Sequence, residues 1–280
     1  MDRQEHGAPQ DEPAYAPASA VVRVAQCLRF YSRLSVPALS GERDPHARPD
    51  FAAMTDMIPV AGAIIGAIGA LVFLAAHTLG LGPLIAATLA VTALVFATGA
   101  FHEDGLADTF DSFGGGATRE KRLAIMKDSS IGVFGAAALV LGLGLRVLLL
   151  AEIARRISPL AAAGALVGVA ALSRSVALAP LIFLEPARSD GASAAVGRPT
   201  RANFAIACAI AAAIYAFFGL ATGLPASGLA LGAMLAVAVT ALMIGWSKAM
   251  IDGQTGDVIG SSQQIAEITI MLGLLILAAG

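Results

Sequence analysis

Four of the chain's 20 acidic residues fall within nine positions, in the stretch Phe101-His102-Glu103-Asp104-Gly105-Leu106-Ala107-Asp108-Thr109-Phe110-Asp111-Ser112-Phe113-Gly114-Gly115-Gly116. On a helix each residue turns roughly 100°, so Asp108 lies about 40° from Asp104 and Asp111 about 20° to the other side, while Glu103 points elsewhere. Three carboxylates on one narrow face repel unless a cation cancels their charge. Oxygen-only ligation suits magnesium better than zinc. The plainer alternative is a solvated acidic helix end stabilised by its own dipole. It leaves the i, i+4, i+7 repeat unexplained, with Gly105 and Ala107 keeping the face open. His102, beside the cluster, is either a general base or an interfacial residue.

Basic and hydroxyl groups follow: Arg119, Lys121 and Arg122, then Met126-Lys127-Asp128-Ser129-Ser130-Ile131-Gly132. Arg and Lys beside a carboxylate–metal centre are what a phosphoryl substrate requires. Arg119, Lys121 and Arg122 serve equally well as membrane-surface anchors; Lys127, with Asp128 and two serines as neighbours, fits that role less well. A third polar stretch runs from Asp252 to Glu267. If it is helical from Asp257, then Gly260, Gln264 and Glu267 lie within about 80° of that residue. Such a stripe on a helix entering lipid needs partners, from a bound group or from interhelical hydrogen bonds. The bonds are the simpler account for Gln263 and an even alternative for Glu267. Arg174, between Ser173 and Ser175 in an apolar run, either pairs with an acid or touches a substrate phosphate. Arg146 is expected to snorkel toward an outer face.

The elements that must carry these residues are membrane helices. The 280 residues are 57% apolar and only 14% charged, whereas a soluble domain carries about 25% charge. The net charge of -2 provides no basic field for nucleic acid. Cys27 and Cys208 are isolated, without metal-like or paired spacing. The 30 glycines suit close helix packing in lipid. Residues 1–20 read as a polar, disordered tail and residues 21–280 as one integral-membrane domain. Val21–Leu34 reads as an amphipathic helix at the membrane surface, ended by Pro37, or as a buried helix of a small N-terminal cap, since periodicity alone does not separate the two. Seven runs approach the roughly 20 residues a span requires: Ile58–Leu79, Leu84–Phe101, Gly132–Ala151, Leu160–Leu184, Phe204–Ala221, Leu229–Trp246 and Ile265–Gly280, the last beginning as early as Val258. The predicted fold is an all-α polytopic membrane bundle.

Lys and Arg set its orientation. They gather before the first span and in the loops after the second, fourth and sixth, whereas the alternate loops hold Arg155 and Arg156. With seven spans, the N-terminus and every motif-bearing loop lie on the cytoplasmic side and the C-terminus outside.

At these residues the sequence resembles the cobalamin synthase family, adenosylcobinamide-GDP ribazoletransferase. The likeness is carried by Leu28-Arg29-Phe30-Tyr31-Ser32-Arg33-Leu34-Ser35-Val36-Pro37, by His102–Asp111 with Gly114-Gly115-Gly116, and by Arg122–Gly132. Ala187-Arg188-Ser189-Asp190-Gly191 and Thr255-Gly256-Asp257-Val258-Ile259-Gly260 complete it. Ser32, Ser35 and Ser130 depart from the family pattern. The resemblance implies a magnesium-dependent reaction in a bacterial inner membrane, between adenosylcobinamide-GDP and α-ribazole or its 5′-phosphate, that releases GMP. It implies Asp104, Asp108, Asp111 and Asp257 as metal ligands or metal-adjacent groups, with an Asp or His102 taking the hydroxyl proton. Lys127, Asp128, Arg174, Arg188, Thr255 and Gln264 would contact substrate. Oligomeric state stays open, a homo-oligomer included.

Two other readings compete. A CDP-alcohol phosphotransferase also places an Asp-Gly stretch in a membrane, but continues with Arg and a Gly-x-x-x-Asp-x-x-x-Asp segment. Here an acid, Asp108, follows instead, and the downstream acids are missing at that spacing. A secondary transporter would hold its cation sites near the midplane on broken helices, whereas these acids are expected at the boundary.

Overall fold

Hydroxyl side chains start many of the helices, and Gly or Pro punctuates the links between them. The computed structural model describes residues 18–40, 42, 44, 50–189, 191, 193 and 196–277. The predicted tail up to residue 17, Arg43, Arg48, Asp190 and the last three residues lie outside that set.

The helices are α1 (Ala20–Tyr31), α2 (Phe51–Met54), α3 (Ile58–Thr78), α4 (Gly82–Thr98), α5 (Phe101–Gly115), α6 (Arg119–Ile125), α7 (Val133–Arg156), α8 (Pro159–Val176), α9 (Ala179–Phe183), α10 (Arg201–Ala221), α11 (Ala226–Ile251) and α12 (Gly256–Ile276). Ser19, Thr118, Ser158, Thr200 and Thr255 each accept a hydrogen bond from the backbone N–H three residues on. They thereby satisfy donors that the first turn leaves unpaired.

Among the described residues six helical stretches are long and apolar enough to cross a membrane, and α4 with α5, bent by 89°, makes a seventh if the pair is one span. The all-α polytopic architecture is therefore as expected, but the second span is not continuous. Helix α4 stops at Thr98, and Gly99 and Ala100 both turn left-handed, with φ of 65° and 57°. Left-handed backbone is costly for a residue with a Cβ, so Ala100 marks a strained junction that the surrounding packing must hold. The acidic stretch is thus the second half of a broken helix.

Other boundaries also moved. Helix α1 ends at Tyr31 because Ser32 is extended and the Arg33 N–H donates to Ala97 O, at 2.7 Å, on α4. The amphipathic face of α1 buries Val22, Ala25, Cys27 and Tyr31. Helix α11 continues past Trp246 to Ile251, and α12 starts at Gly256.

Helix α8 is the axis of the bundle, buried along nearly its whole length. Its Ala-rich surface lets α3 approach closely: a Cβ on Gly62 would stand 2.6 Å from Ala170 O. At one end of the bundle the motif-bearing segments are stitched together. Arg119 Nε and Nη2 donate to Ile251 O and Ala187 O at 2.8 and 2.6 Å, and Arg122 Nη1 donates to Met250 O at 3.0 Å. These guanidinium groups satisfy the carbonyls at the end of α11. Their role in this fold is to join three loops.

Candidate active site

Glycine decides how near α5 comes to α12. A Cβ on Gly105 would stand 2.8 Å from Asp257 O and 3.3 Å from Gly260 Cα. Only a residue without a side chain permits this approach, which brings the acids of two sequence-distant motifs into one field. Asp108 feels the negative charges of Asp104, Asp257 and Asp111, offset by Arg188.

Asp104 is exposed and Asp108 half-buried, and both line an open cleft of about 370 Å³. The α6–α7 loop forms its opposite wall with Lys127, Asp128, Ser129 and Ser130. The Asp128 carboxyl accepts the Ser130 N–H at 3.0 Å, and Ser130's hydroxyl and amide hold it below the ordinary carboxylate range. The fold therefore brings Asp104, Asp108, Lys127 and Asp128 to the lining of one cleft.

The other predicted site residues lie elsewhere. Asp111 accepts hydrogen bonds from the N–H groups of Gly132 and Gly135, at 2.7 and 2.8 Å, and is buried. One carboxylate oxygen serves each amide, so Asp111 caps the start of α7. Asp257 sits in the first turn of α12 with Arg188 Nη2 3.7 Å from Oδ2, off the cleft wall. Thr255 is the N-cap of that helix, its hydroxyl 3.6 Å from Met126 Sδ. His102 is 3% exposed and stacks on Tyr31 at 5.7 Å between ring centres. With Arg174, Phe30 and Phe51 it lines a separate cavity of about 60 Å³. Arg174 Nη1 donates to Ala170 O, at 3.0 Å, on its own helix.

Gln264 belongs to a third place, a cluster inside the bundle. Arg146 is 3% exposed: Nη1 lies 2.7 Å from Glu103 Oε1, and Nε lies 2.9 Å from Glu267 Oε1. The expected snorkelling of Arg146 is therefore wrong; two buried acids retain it. Gln264 joins by donating to Glu103 and accepting from Arg146, both at 3.2 Å. Gln263 donates to Ser173 and Glu267 at 3.0 and 2.7 Å. The clue in the sequence was the charge count. Arg146 and Glu267 each interrupt an apolar span, and charges in lipid need each other.

The donor set decides which metal could sit in the cleft. Among the described residues no three His, Cys, Asp or Glu side chains form a ready metal cage. Asp104 and Asp108, neighbours on one helix face, offer carboxylate oxygens toward open volume. That arrangement fits magnesium, which keeps much of its water and takes other ligands from substrate phosphates. It does not fit a zinc cage.

The family model described as cobalamin-5-phosphate synthase matches residues 23–275. An adenosylcobinamide-GDP ribazoletransferase from Azorhizobium caulinodans is 49% identical over 257 residues, covering 91% of this chain and 96% of the relative. Proteins with the same name from Xanthobacter autotrophicus and Mesorhizobium japonicum are 46% and 43% identical, each covering more than 90% of both chains. No solved structure matches. A family match from residue 23 to residue 275, together with relatives up to 49% identical over more than 90% of both chains, places this chain in the cobalamin-5-phosphate synthase family.

Proposed function

We propose that the chain transfers the cobinamide-phosphoryl group of adenosylcobinamide-GDP to a ribose hydroxyl of α-ribazole or its 5′-phosphate. The new bond joins that hydroxyl oxygen to the cobinamide-side phosphorus. The bond from that phosphorus to the bridging oxygen breaks, GMP leaves with that oxygen, and the hydroxyl proton passes to a base. The observation that carries this reading is the cleft itself, where two carboxylates on one helix face lie across from Lys127.

Asp104 and Asp108 would hold the magnesium ion, with Asp257 adding negative field from α12. When bound, that ion supplies charge neutralisation on the diphosphate and acidifies the attacking hydroxyl. Lys127 would neutralise phosphate oxygens, and Ser129 and Ser130 would offer hydroxyl donors, since all three line the same cleft. Arg188 would approach from the α12 side, beside Asp257. Asp128 is held ionised, so it accepts hydrogen bonds, which suits a ribose or amide group better than a phosphate. Arg174 and His102 lie in the aromatic cavity and Gln264 in the interior, so none of them is assigned to the diphosphate.

The cleft opens to the cytoplasm of a bacterial inner membrane in this reading. The Lys and Arg bias supports that side, and the alternate loop's Arg155 and Arg156 are both paired with Glu152. Product analysis tests the whole proposal. Purified protein with adenosylcobinamide-GDP, α-ribazole and magnesium should release GMP and a cobamide in equal amounts. Turnover that persists after complete removal of divalent cations would overturn the magnesium assignment, and failure to form cobamide would overturn the reaction.

A further inference from the structure

Helix α5 carries the acids of the cleft, yet little in its own chain fixes its direction. It begins at a left-handed Ala100, makes no side-chain cap at its N-terminus, and bends 89° from α4. Helical continuity therefore cannot aim it, and tertiary contacts must. Among them are the approach of Gly105 to α12, the bonds of Asp111 to the start of α7 and the stacking of His102 on Tyr31. The deepest in the bundle is Glu103, which leaves α5 immediately before Asp104.

Glu103 reaches Arg146, whose place on α7 is about 20 Å along the axis from Val133 at 1.5 Å per residue. Glu267, on the far side of the guanidinium, lies about 16 Å along α12 from Gly256. One arginine fork thus ties α5, α7 and α12 together well inside the bundle. With Arg174 close enough to feel both acids, the buried cluster holds two positive and two negative groups and is neutral. Glu103 also lines the cleft beside Asp104, Ala107 and Asp108, so its position is part of the cleft wall. A shift of Glu103 moves Asp104 with it.

We propose that Arg146 is a positioning residue for the transfer reaction: through Glu103 it holds α5 at the depth and rotation that turn Asp104 and Asp108 into the cleft. This rests on the reading of the cleft as a magnesium-assisted phosphoryl-transfer centre. A buried ion pair is a weak source of stability, since both partners give up water to form it, and selecting one arrangement over others is its better-attested use. Arginine is required because a planar fork meets two acids at once, and a lysine ammonium reproduces the charge without the fork.

Two variants test this, measured for turnover and by hydrogen exchange. Arg146→Lys keeps the charge. The double variant R146M/E267Q removes one group of each sign, leaving the interior neutral but Glu103 without its partner. In both, turnover should fall roughly a hundredfold, the scale of a displacement of about 1 Å at a reacting centre. The magnesium concentration for half-maximal rate should rise about tenfold, while KM for the two organic substrates stays within about threefold, because the acids move and the rest of the cleft does not. Backbone amides of residues 101–115 should lose exchange protection, with those of α10 and α11 unchanged. Wild-type turnover in either variant, or loss of protection spread evenly over all helices, would overturn the proposal. Should the unmodified protein form no cobamide at all, the reaction assignment fails instead, and the exchange pattern still decides whether Arg146 holds α5.

Discussion

Helix α5 presents acids on two faces, and the two faces treat them in opposite ways. Glu103 points inward, where Arg146 and Gln264 meet the same oxygen at 2.7 and 3.2 Å. Asp104 and Asp108, one and five residues further on, point into a cleft of about 370 Å³. Inside the bundle every acid of the cluster has an arginine beside it, because an uncompensated charge in lipid costs several kcal/mol. At the cleft wall the carboxylates crowd one another instead, and relief has to come from something that enters. The same residue types on the same helix therefore do different work. Whether an acid is matched from within the fold separates a clasp from a binding site.

The sharpest way to break this comparison is to remove one charge from the cleft. Asp108→Asn keeps the size and hydrogen-bonding capacity of the side chain but loses the negative charge. It should lower turnover about a thousandfold, the scale on which a positioned charge at a phosphoryl-transfer centre acts. The fold should tolerate it well, because Asn relieves repulsion from Asp104 and Asp257 rather than exposing a buried partner. Near-normal turnover in purified Asp108→Asn would show that the crowded acids do no chemistry and that the cleft is an ordinary acidic surface.

An intermediate effect is expected where the comparison is least obvious from sequence. Asp111 shares the i, i+4, i+7 pattern with Asp104 and Asp108, yet it bonds two amides at the start of α7. Asp111→Ala should cost about 1–2 kcal/mol of stability, as loss of a helix cap does. Denaturant-induced unfolding in detergent would read that loss. The remaining folded enzyme should keep the magnesium requirement of the parent. A raised requirement with unchanged stability would return Asp111 to the metal.

How far the sequence could be read follows from which interactions are local. Most of the spans depend on the apolar character of neighbours along one run, and these were legible. The face shared by Asp104 and Asp108 was legible too, since it is a property of one helix. The break at Gly99 and Ala100 was not, because an apolar run ending in an alanine carries no sign of left-handed backbone. Nor was the diversion of Asp111 to α7, which depends on how the α6–α7 loop folds back. Arg146 was misread for a related reason. A single Arg in a Leu- and Val-rich run looks like a snorkelling residue until Glu103 and Glu267, 43 and 121 residues away, are found beside it.

The smallest effect is expected at His102, and it probes whether the two faces of α5 are functionally separate. His102 precedes the acids directly in sequence, which made it a candidate proton acceptor. Its ring, however, stacks within 8° of parallel on Tyr31 and meets Phe101 edge-on at 5.2 Å. It is absent from the cleft wall that holds Asp104 and Asp108. Its neighbourhood is aromatic packing between α1 and α5, so a ring of similar size should serve. His102→Phe is therefore expected to keep turnover within about threefold, with an unchanged pH–rate profile. A general base would contribute roughly a hundredfold or more, and its loss would remove the acidic limb of that profile. Retained activity would confine proton transfer to the acid-lined face of α5. A hundredfold fall with the loss of that limb would mean the chemistry reaches through the helix to the aromatic side, and the division between the two faces would not hold.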